Sequence, residues 1–345
     1  MIWWQAIFFP FALLFDLITR IRNWMYKKGF RESTRFDANV IAVGNLAIGG
    51  TGKTPMIDYL IQYFSSKNLK VSTLSRGYGR ETRGFRLADW GDSAATIGDE
   101  PYGYFLKYKG KVPVAVGAER DLAISELLLH QPDTTAVLLD DAFQHRRVTP
   151  TANIMLTTYQ NPFYQDFLLP VGRLRESRKG ADRADIIIVT KCPSFLAESD
   201  QVRMKTQIAQ YSNAKVFFMS IEYLEPKPIF ENQIPLHNRV VAISGMAQPQ
   251  PFEQYISSKY QITLTHHYRD HYKYKTEDIR DITRELSSNV SLITTEKDMV
   301  KLRSFQELKE YSCFYIPIRM KFLKDETLFY STLDSMLNYY AQESN

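Results

Sequence analysis

Short continuous apolar runs recur along the first two thirds of the chain, and polar residues follow most of them. Such runs are typical of strands that are covered on both faces of a sheet. Between two of them, residues 119–130 form a helical segment. This alternation predicts an α/β fold with a mostly parallel sheet and helices on both faces. The runs are residues 40–43, 71–75, 112–116, 135–139, 154–157 and 186–190.

The later part of the chain repeats this alternation, which predicts a smaller second α/β domain. Its apolar runs are residues 216–221, 240–244 and 291–295, and its helical segments are residues 252–259 and 296–311. The proline-rich residues 225–228 are the best linker candidate. We therefore expect an N-terminal helix over residues 1–30, a core domain over 31–220 and the smaller domain over 221–345.

The first 18 residues are almost wholly apolar, and a basic cluster follows them. A spanning helix needs about 20 clean apolar residues, and Asp16 interrupts this run. As a helix, the run would lie on a membrane surface, with its tryptophans among the lipid headgroups. The cations that follow the run would then lie near anionic lipid. The alternative is a helix packed on the protein's own core; the directly following cations favour the membrane. The apolar face holds Trp3, Ile7, Phe11, Leu14, Phe15 and Ile18, the further tryptophans are Trp4 and Trp24, and the cations are Arg20, Arg22, Lys27, Lys28 and Arg31.

Composition excludes few classes of function. The 345 residues suffice for two domains that each bury a core. The net charge of +5 fits a nucleotide, an anionic lipid or a nucleic acid without choosing among them. Cys192 and Cys313 are isolated thiols, which suits a reducing cytoplasm.

A glycine-rich loop follows the first predicted strand and precedes a helix with one apolar face. Gly49, Gly50 and Gly52 allow backbone N–H groups to point inward at a polyanion, and Thr51 lies among them. Lys53 supplies a charge for the outer phosphates, and Thr54 supplies a hydroxyl for magnesium. The alternative is an ordinary turn that contains Lys-Thr, since Ala47 replaces one expected glycine. We predict a P-loop NTPase-like core that binds phosphate groups together with Mg²⁺.

Acidic residues lie where predicted strands and helices meet. Asp140 and Asp141 end a strand downstream of the loop and resemble a Walker B element for magnesium, although a helix cap or turn is the alternative. Asp99 and Glu100 precede a predicted helix start. Asp99 would accept a proton from a hydroxyl, or either acid would help to hold magnesium; N-capping is the simpler explanation.

Basic and histidine-containing motifs complete the candidate site. Residues 75–80 would bring an arginine and close backbone to phosphate, and residues 169–176 carry a possible anion clamp. An exposed turn and a solvated loop are the respective alternatives. His271 would orient a catalytic carboxylate, although a surface histidine is the more frequent case. Lys297 and Asp298 would approach nucleotide or cap a helix.

Taken together, these motifs resemble the tetraacyldisaccharide 4'-kinase family of lipid A biosynthesis. The motifs are Gly-Gly-Thr-Gly-Lys-Thr54, Ser-Arg-Gly-Tyr-Gly-Arg80, Gly-Asp-Glu-Pro101, Asp-Asp-Ala-Phe-Gln-His145, Gly-Arg-Leu-Arg-Glu176, Asp-His271 and Thr-Glu-Lys-Asp298. The resemblance covers nearly the whole chain. Ala142 stands where the family usually has glycine, and Tyr272 replaces a second histidine.

The resemblance implies ATP-dependent phosphorylation of the 4'-hydroxyl of a tetraacylated glucosamine disaccharide 1-phosphate, which gives lipid IVA. It implies two α/β domains with the site between them, at the cytoplasmic face of the bacterial inner membrane, as a peripheral or monotopic protein. No nucleic acid and no obligatory protein partner are expected. The implied catalytic residues are Asp99, His271 and Lys53; the ATP contacts are Gly49, Gly50, Thr51, Gly52, Lys53, Thr54 and Lys297; the magnesium residues are Thr54, Glu100, Asp140 and Asp141; and the substrate residues are Arg76, Gly77, Tyr78, Gln144, His145, Arg173, Arg175 and Glu176.

The main rival is a membrane-recruited P-loop ATPase that works as a switch. Those proteins place a lysine directly before the paired glycines, and here that residue is Ile48. A nucleic-acid binder would need a basic stripe with aromatics, and none is evident beyond the amino-terminal cluster. The lipid kinase is therefore the preferred hypothesis.

Overall fold

The computed structural model describes residues 3–231 and 234–337, with side chains from residue 8 onward. The helices are α1 (Trp3–Lys27), α2 (Lys53–Ser66), α3 (Ala94–Ile97), α4 (Asp99–Tyr108), α5 (Arg120–His130), α6 (Glu198–Ala209), α7 (Gln250–Ser257), α8 (Thr276–Arg284), α9 (Glu296–Leu302) and α10 (Glu326–Asp334). The strands are β1 (Asn39–Asn45), β2 (Val71–Ser75), β3 (Arg86–Leu87), β4 (Val114–Val116), β5 (Ala136–Asp140), β6 (Ala152–Thr158), β7 (Ile186–Thr190), β8 (Lys215–Tyr223), β9 (Lys227–Pro228), β10 (Arg239–Gly245), β11 (Gln261–Tyr268), β12 (Val290–Thr295), β13 (Cys313–Ile316) and β14 (Ile318–Phe322).

Nine strands form the larger sheet in the order β14-β8-β7-β6-β1-β5-β2-β4-β3. All neighbours are parallel except β14 and β3, the two edge strands. The inner strands are buried along their whole length because helices cover both faces. One face packs on α2, α4 and α10, and the other packs on α5 and α6. The predicted α/β class with a mostly parallel sheet is confirmed.

Five strands form the second sheet in the order β11-β10-β12-β13-β9, and only β9 is antiparallel. A separate apolar cluster, which includes Ile243, Ile279 and Leu292, packs α8 and α9 against this sheet. The segments that follow the carboxyl ends of β11 and β12 approach α4, which packs on the larger sheet, because His271 and Lys301 both lie near Asp99. The candidate site lies at this meeting point.

The chain returns to the larger sheet at its end, which differs from the expected 221–345 division. Strand β14 pairs with β8 in the larger sheet, with Ile318 opposite Tyr223. Helix α10 then packs on α2, where the rings of Tyr63 and Tyr330 stack at 4.5 Å. The second sheet and the helices that pack on it therefore comprise only the part of the chain from β9 to β13. The predicted helix over residues 296–311 is also shorter, because α9 ends at Leu302.

Helix α1 leaves most of its apolar surface exposed. The small and polar residues Ala12, Asp16 and Thr19 face the protein, whereas Leu14 and Ile18 are more than half exposed. This pattern disfavours a helix packed on the protein's own core. The side chains of Trp3, Trp4 and Ile7, which belong to the predicted membrane surface, lie outside the described residues. Among the described helices, none is both long and apolar enough to cross a bilayer.

Candidate active site

The glycine-rich loop connects β1 to α2 and has the backbone that the sequence predicts. Gly49 and Gly52 have φ values of 108° and 90°, in the left-handed region that favours glycine. No side chain caps the first turn of α2, which leaves its N–H groups available to an anion. From the neighbouring β7, Thr190 donates a hydrogen bond to the carbonyl of Thr51 at 2.7 Å. The hydrogen bond from Thr190 therefore fixes the loop, and the free N–H groups of α2 leave it open to a phosphate.

Four side chains gather beside the first turn of α2. Thr54 donates a hydrogen bond from its hydroxyl to Glu100 Oε1 at 3.2 Å. Asp140, at the end of β5, accepts a hydrogen bond from the Tyr104 hydroxyl at 3.3 Å. Burial, reinforced by the charge of Glu100, raises the pKa of Asp140 to about 7. The charge of Lys53 and the hydrogen bond from Tyr104 therefore do not fully offset burial and the neighbouring acid.

These residues fit a magnesium ion that also binds phosphates. The Oδ1 atom of Asp140 is buried and has no hydrogen-bond partner among the described residues. Across residues 3–231 and 234–337, no three His, Cys, Asp or Glu side chains form a complete metal site. Mg²⁺ commonly binds one or two carboxylates and takes its remaining ligands from water and phosphates. Thr54, Glu100 and Asp140 supply oxygens suited to that arrangement.

Asp141 is held ionised by two cations. Arg175 contacts both of its carboxylate oxygens, at 2.7 and 3.1 Å, and Lys53 Nζ lies 3.6 Å from Oδ1. Burial opposes ionisation, but the hydrogen bond from Arg175 and the charge of Lys53 prevail and lower the pKa of Asp141 to about 2. Asp141 thus fixes the two cations at the mouth of the loop, in addition to its expected role toward magnesium.

Asp99 begins α4 and meets residues from the second sheet. His271 Nδ1 and Lys301 Nζ each lie 3.7 Å from Asp99 Oδ2. Burial opposes ionisation of Asp99, yet the neighbouring His271 and Lys301 hold its pKa below the ordinary value. Asp99 is therefore an ionised carboxylate one residue from Glu100, which contacts the phosphate-binding loop. The structure brings Asp99 and His271 together, as the family resemblance implied.

The turn at residues 76–80 lies across the cleft from the second sheet. Gly77 has φ 72°, and an added Cβ would lie 2.5 Å from the Arg80 side chain and 3.0 Å from the Ile97 carbonyl. Tyr78 is largely exposed, and its ring lies 5.4 Å from that of His271. Arg76 is exposed beside these groups. The predicted substrate motif therefore borders Asp99 and His271.

Three other predicted substrate residues have different surroundings. Glu176 is fully buried and accepts hydrogen bonds from Arg183 at 2.7 Å, Asn23 at 2.9 Å and Gln144 at 3.0 Å. Glu176 therefore presents no accessible surface to a lipid headgroup in this structure, and its expected part in substrate binding or transfer stays a prediction. It instead ties α1 to the loop that carries Gln144. Arg173 pairs with Asp166 at 2.8 Å, away from Asp141.

Two further predictions involve His145 and Lys297. His145 is partly buried, and burial lowers its pKa to about 4, so it is neutral at physiological pH. Lys297 forms an ion pair with Asp270, the residue before His271. Its expected contact with nucleotide stays a prediction.

Sequence reasoning missed Tyr104, Arg120 and Lys301. Tyr104 lies four residues after Glu100, on the same face of α4, so helical spacing contained a signal for it. Arg120 is buried behind the site, where it donates to the carbonyls of Gly117 and Asp140. No local sequence pattern indicated a role for Lys301, because Lys301 and Asp99 are about 200 positions apart in the chain.

The family model for tetraacyldisaccharide-1-P 4'-kinase matches residues 4–338. The chain belongs to this family. The tetraacyldisaccharide 4'-kinase of Flavobacterium johnsoniae is 40% identical over 94% of this chain and 95% of its own length. The corresponding kinase of Cytophaga hutchinsonii is 39% identical over 98% of this chain and 97% of its own length.

A solved structure of the Aquifex aeolicus kinase LpxK in complex with ATP has a similar fold. It aligns with a TM-score of 0.77 and 27% identity, covering 96% of this chain and 99% of that chain. The resemblance stated from the motifs is thus confirmed over the whole chain, and so are the kinase class and the use of ATP. The individual residue roles rest on the geometry described above.

Proposed function

We propose that this kinase transfers the γ-phosphoryl group of ATP to the 4'-hydroxyl of a tetraacylated glucosamine disaccharide 1-phosphate. The observation that carries the proposal is the placement of Asp99. An ionised carboxylate begins α4 one residue before Glu100, and Glu100 contacts Thr54 of the phosphate-binding loop. A base and a phosphate cradle therefore share one cleft, as transfer to a hydroxyl requires.

In this proposal, the loop N–H groups and Lys53 bind the β- and γ-phosphates. Thr54, Glu100, Asp140 and Asp141 would hold magnesium, which would supply charge neutralisation for the transferred group. Asp99 accepts the proton of the 4'-hydroxyl as the oxygen attacks the γ-phosphorus, and ADP leaves. Lys53 and Arg175, both held by Asp141, lie where they would offset charge on the phosphoryl oxygens. Arg76 and Tyr78 would contact the sugar.

The lipid chains of the substrate explain the exposed surface of α1. Acyl chains remain in the bilayer, so the catalytic cleft must approach the headgroup plane. Asn23, near the end of α1, donates to Glu176, and Glu176 also accepts a hydrogen bond from Gln144 of the Asp140–His145 loop. We infer that α1 lies on the membrane surface and holds this loop at a fixed depth. Because ATP is cytoplasmic, we propose the cytoplasmic face of the inner membrane as the location of the protein.

The experiment compares Asp99→Ala with the unchanged protein and with Asp133→Ala, a control that removes a highly exposed acid elsewhere. Phosphate transfer from labelled ATP to purified disaccharide lipid is measured beside ATP binding. We expect turnover to fall by orders of magnitude in Asp99→Ala only, with ATP binding retained. Near-normal turnover in Asp99→Ala would remove Asp99 from the base role. ATP hydrolysis by the unchanged protein without a lipid product would favour the switch ATPase.

A further inference from the structure

The segment Glu296–Lys301 joins the second sheet to α4 through its charged side chains. Glu296 lies 2.8 Å from Lys107 of α4. Asp298 accepts a hydrogen bond from the backbone N–H of Gly245, at the end of β10, at 2.7 Å. Lys301 reaches back to the opposite end of α4, where Asp99 lies. Helix α9 therefore contacts α4 near the first residue of α4, through Lys301, and near its last turn, through Glu296.

Lys301 is a buried cation with a fixed position. Its ammonium lies 3.2 Å from Asp298 Oδ1 and donates a hydrogen bond to the carbonyl of Tyr272 at 3.0 Å. It also lies 5.5 Å from the centre of the Tyr274 ring, in a cation–π arrangement. Its side chain is only 9% exposed. These contacts leave the ammonium little freedom to move away from Asp99.

Asp298 is itself anchored, so the position of Lys301 depends on the second sheet. The carboxylate is fully buried, and its Oδ2 accepts hydrogen bonds from Gly245 N at 2.7 Å and from the Thr295 hydroxyl at 2.8 Å. A Cβ on Gly245 would lie 2.6 Å from Asp298 Oδ1, so the approach of the backbone needs glycine there. A rigid chain of contacts thus extends from β10 through Asp298 to Lys301.

We propose that Lys301 is a positioning residue for Asp99. His271 and Lys301 both contact Oδ2 of Asp99, each at 3.7 Å. In both contacts the nearest oxygen is Oδ2, which leaves Oδ1 the freer oxygen to accept the proton of the sugar hydroxyl. Because Lys301 lies in α9, which packs on the second sheet, the base is correctly aimed only when α9 lies against α4. This inference rests on the proposed role of Asp99 as base.

A purely structural role for Lys301 makes a different prediction. Asp298 is a buried acid, and Lys301 would then serve only to neutralise it, since an unpaired buried charge is costly. The double variant Lys301→Met/Asp298→Asn removes both charges together. If neutralisation is the whole role, the double variant regains turnover. If positioning is the role, the double variant regains stability but not turnover.

The test measures kcat and KM for ATP and lipid, with thermal unfolding, in Lys301→Met, Lys301→Arg, the double variant and Arg303→Met. Arg303 is an exposed cation just beyond α9 and serves as the matched control. We expect kcat to fall about 10- to 100-fold in Lys301→Met, as for other small misplacements of catalytic groups. KM for ATP should change less than twofold, Lys301→Arg should recover part of the lost kcat, and Arg303→Met should match the unchanged protein.

A kcat within twofold of normal in Lys301→Met, or a restored kcat in the double variant, would overturn the proposal. If Lys301→Met alone fails to fold, the double variant decides by the same criterion. Failure of the proposed function looks different, because the unchanged protein would then give no phosphorylated lipid. Failure of the base role would appear as normal turnover in Asp99→Ala.

Discussion

Replacing two exposed residues of α1 tests whether this helix holds the protein on a membrane. Leu14 and Ile18 are 56% and 57% exposed. Full burial of such a side chain is worth about 1.5–3 kcal/mol, so burying the exposed part of each contributes about 0.8–1.7 kcal/mol. The double variant Leu14→Ser/Ile18→Ser should therefore lose about 1.6–3.4 kcal/mol. At ~1.4 kcal/mol per tenfold, membrane affinity falls about 15- to 300-fold.

The assay is co-sedimentation with vesicles of mixed neutral and anionic lipid over a range of lipid concentrations. The matched control is Leu129→Ser/Leu328→Ser, which removes two exposed leucines from α5 and α10. Thermal unfolding of both variants shows whether either has lost its fold. Unchanged vesicle binding in the α1 variant would refute the reasoning. Equal losses in both double variants would show that general surface hydrophobicity, and not α1, drives binding.

Three other predictions concern single side chains. Arg175→Met should raise the pKa of Asp141 from about 2 towards its ordinary value and lower kcat at least tenfold, measured by steady-state kinetics; an unchanged kcat would contradict the role of Arg175. Lys107→Met leaves Asp58 buried without its cation, so the free energy of unfolding should fall by about 2 kcal/mol or more. Urea unfolding measures this change, and an unchanged midpoint would contradict it. Burial opposes ionisation of Glu176, but the charge of Arg183 and the hydrogen bonds from Arg183, Asn23 and Gln144 outweigh it and lower the pKa of Glu176. Its ionised form therefore stabilises the fold above the unfolded-state pKa, and this stability is lost as pH falls from there through the folded-state pKa. Glu176→Gln should show a weaker loss of stability on acidification, followed by thermal unfolding across pH 3–6, and an unchanged pH dependence would contradict this.

The sequence predicted those features that depend on neighbouring residues. The strand at 186–190 has the predicted bounds, and β5 is shifted by one residue from the predicted run, so that it begins at Ala136 and ends on Asp140. The phosphate-binding loop was predictable because glycine, lysine and threonine act there within six positions. Asp99 and His271 were paired only through the family resemblance, since no local pattern brings them together.

Long-range contacts were not predictable from local patterns. Strand β14 follows the second sheet directly along the chain but pairs with β8, and nothing in its five residues specifies that neighbour. Glu176 follows two arginines, which predicts a solvated charged loop. Its burial depends on Asn23, 153 positions earlier, and on Gln144. Lys301 likewise acquires its partner only when the two sheets meet.

The most direct test of the account is phosphate transfer from γ-labelled ATP to purified tetraacylated disaccharide 1-phosphate by the full chain with magnesium. The account predicts a lipid product that carries one new phosphate on the 4'-oxygen, formed by the unchanged protein and nearly abolished in Asp99→Ala. ATP consumption that releases only inorganic phosphate, with the lipid unmodified, would contradict it.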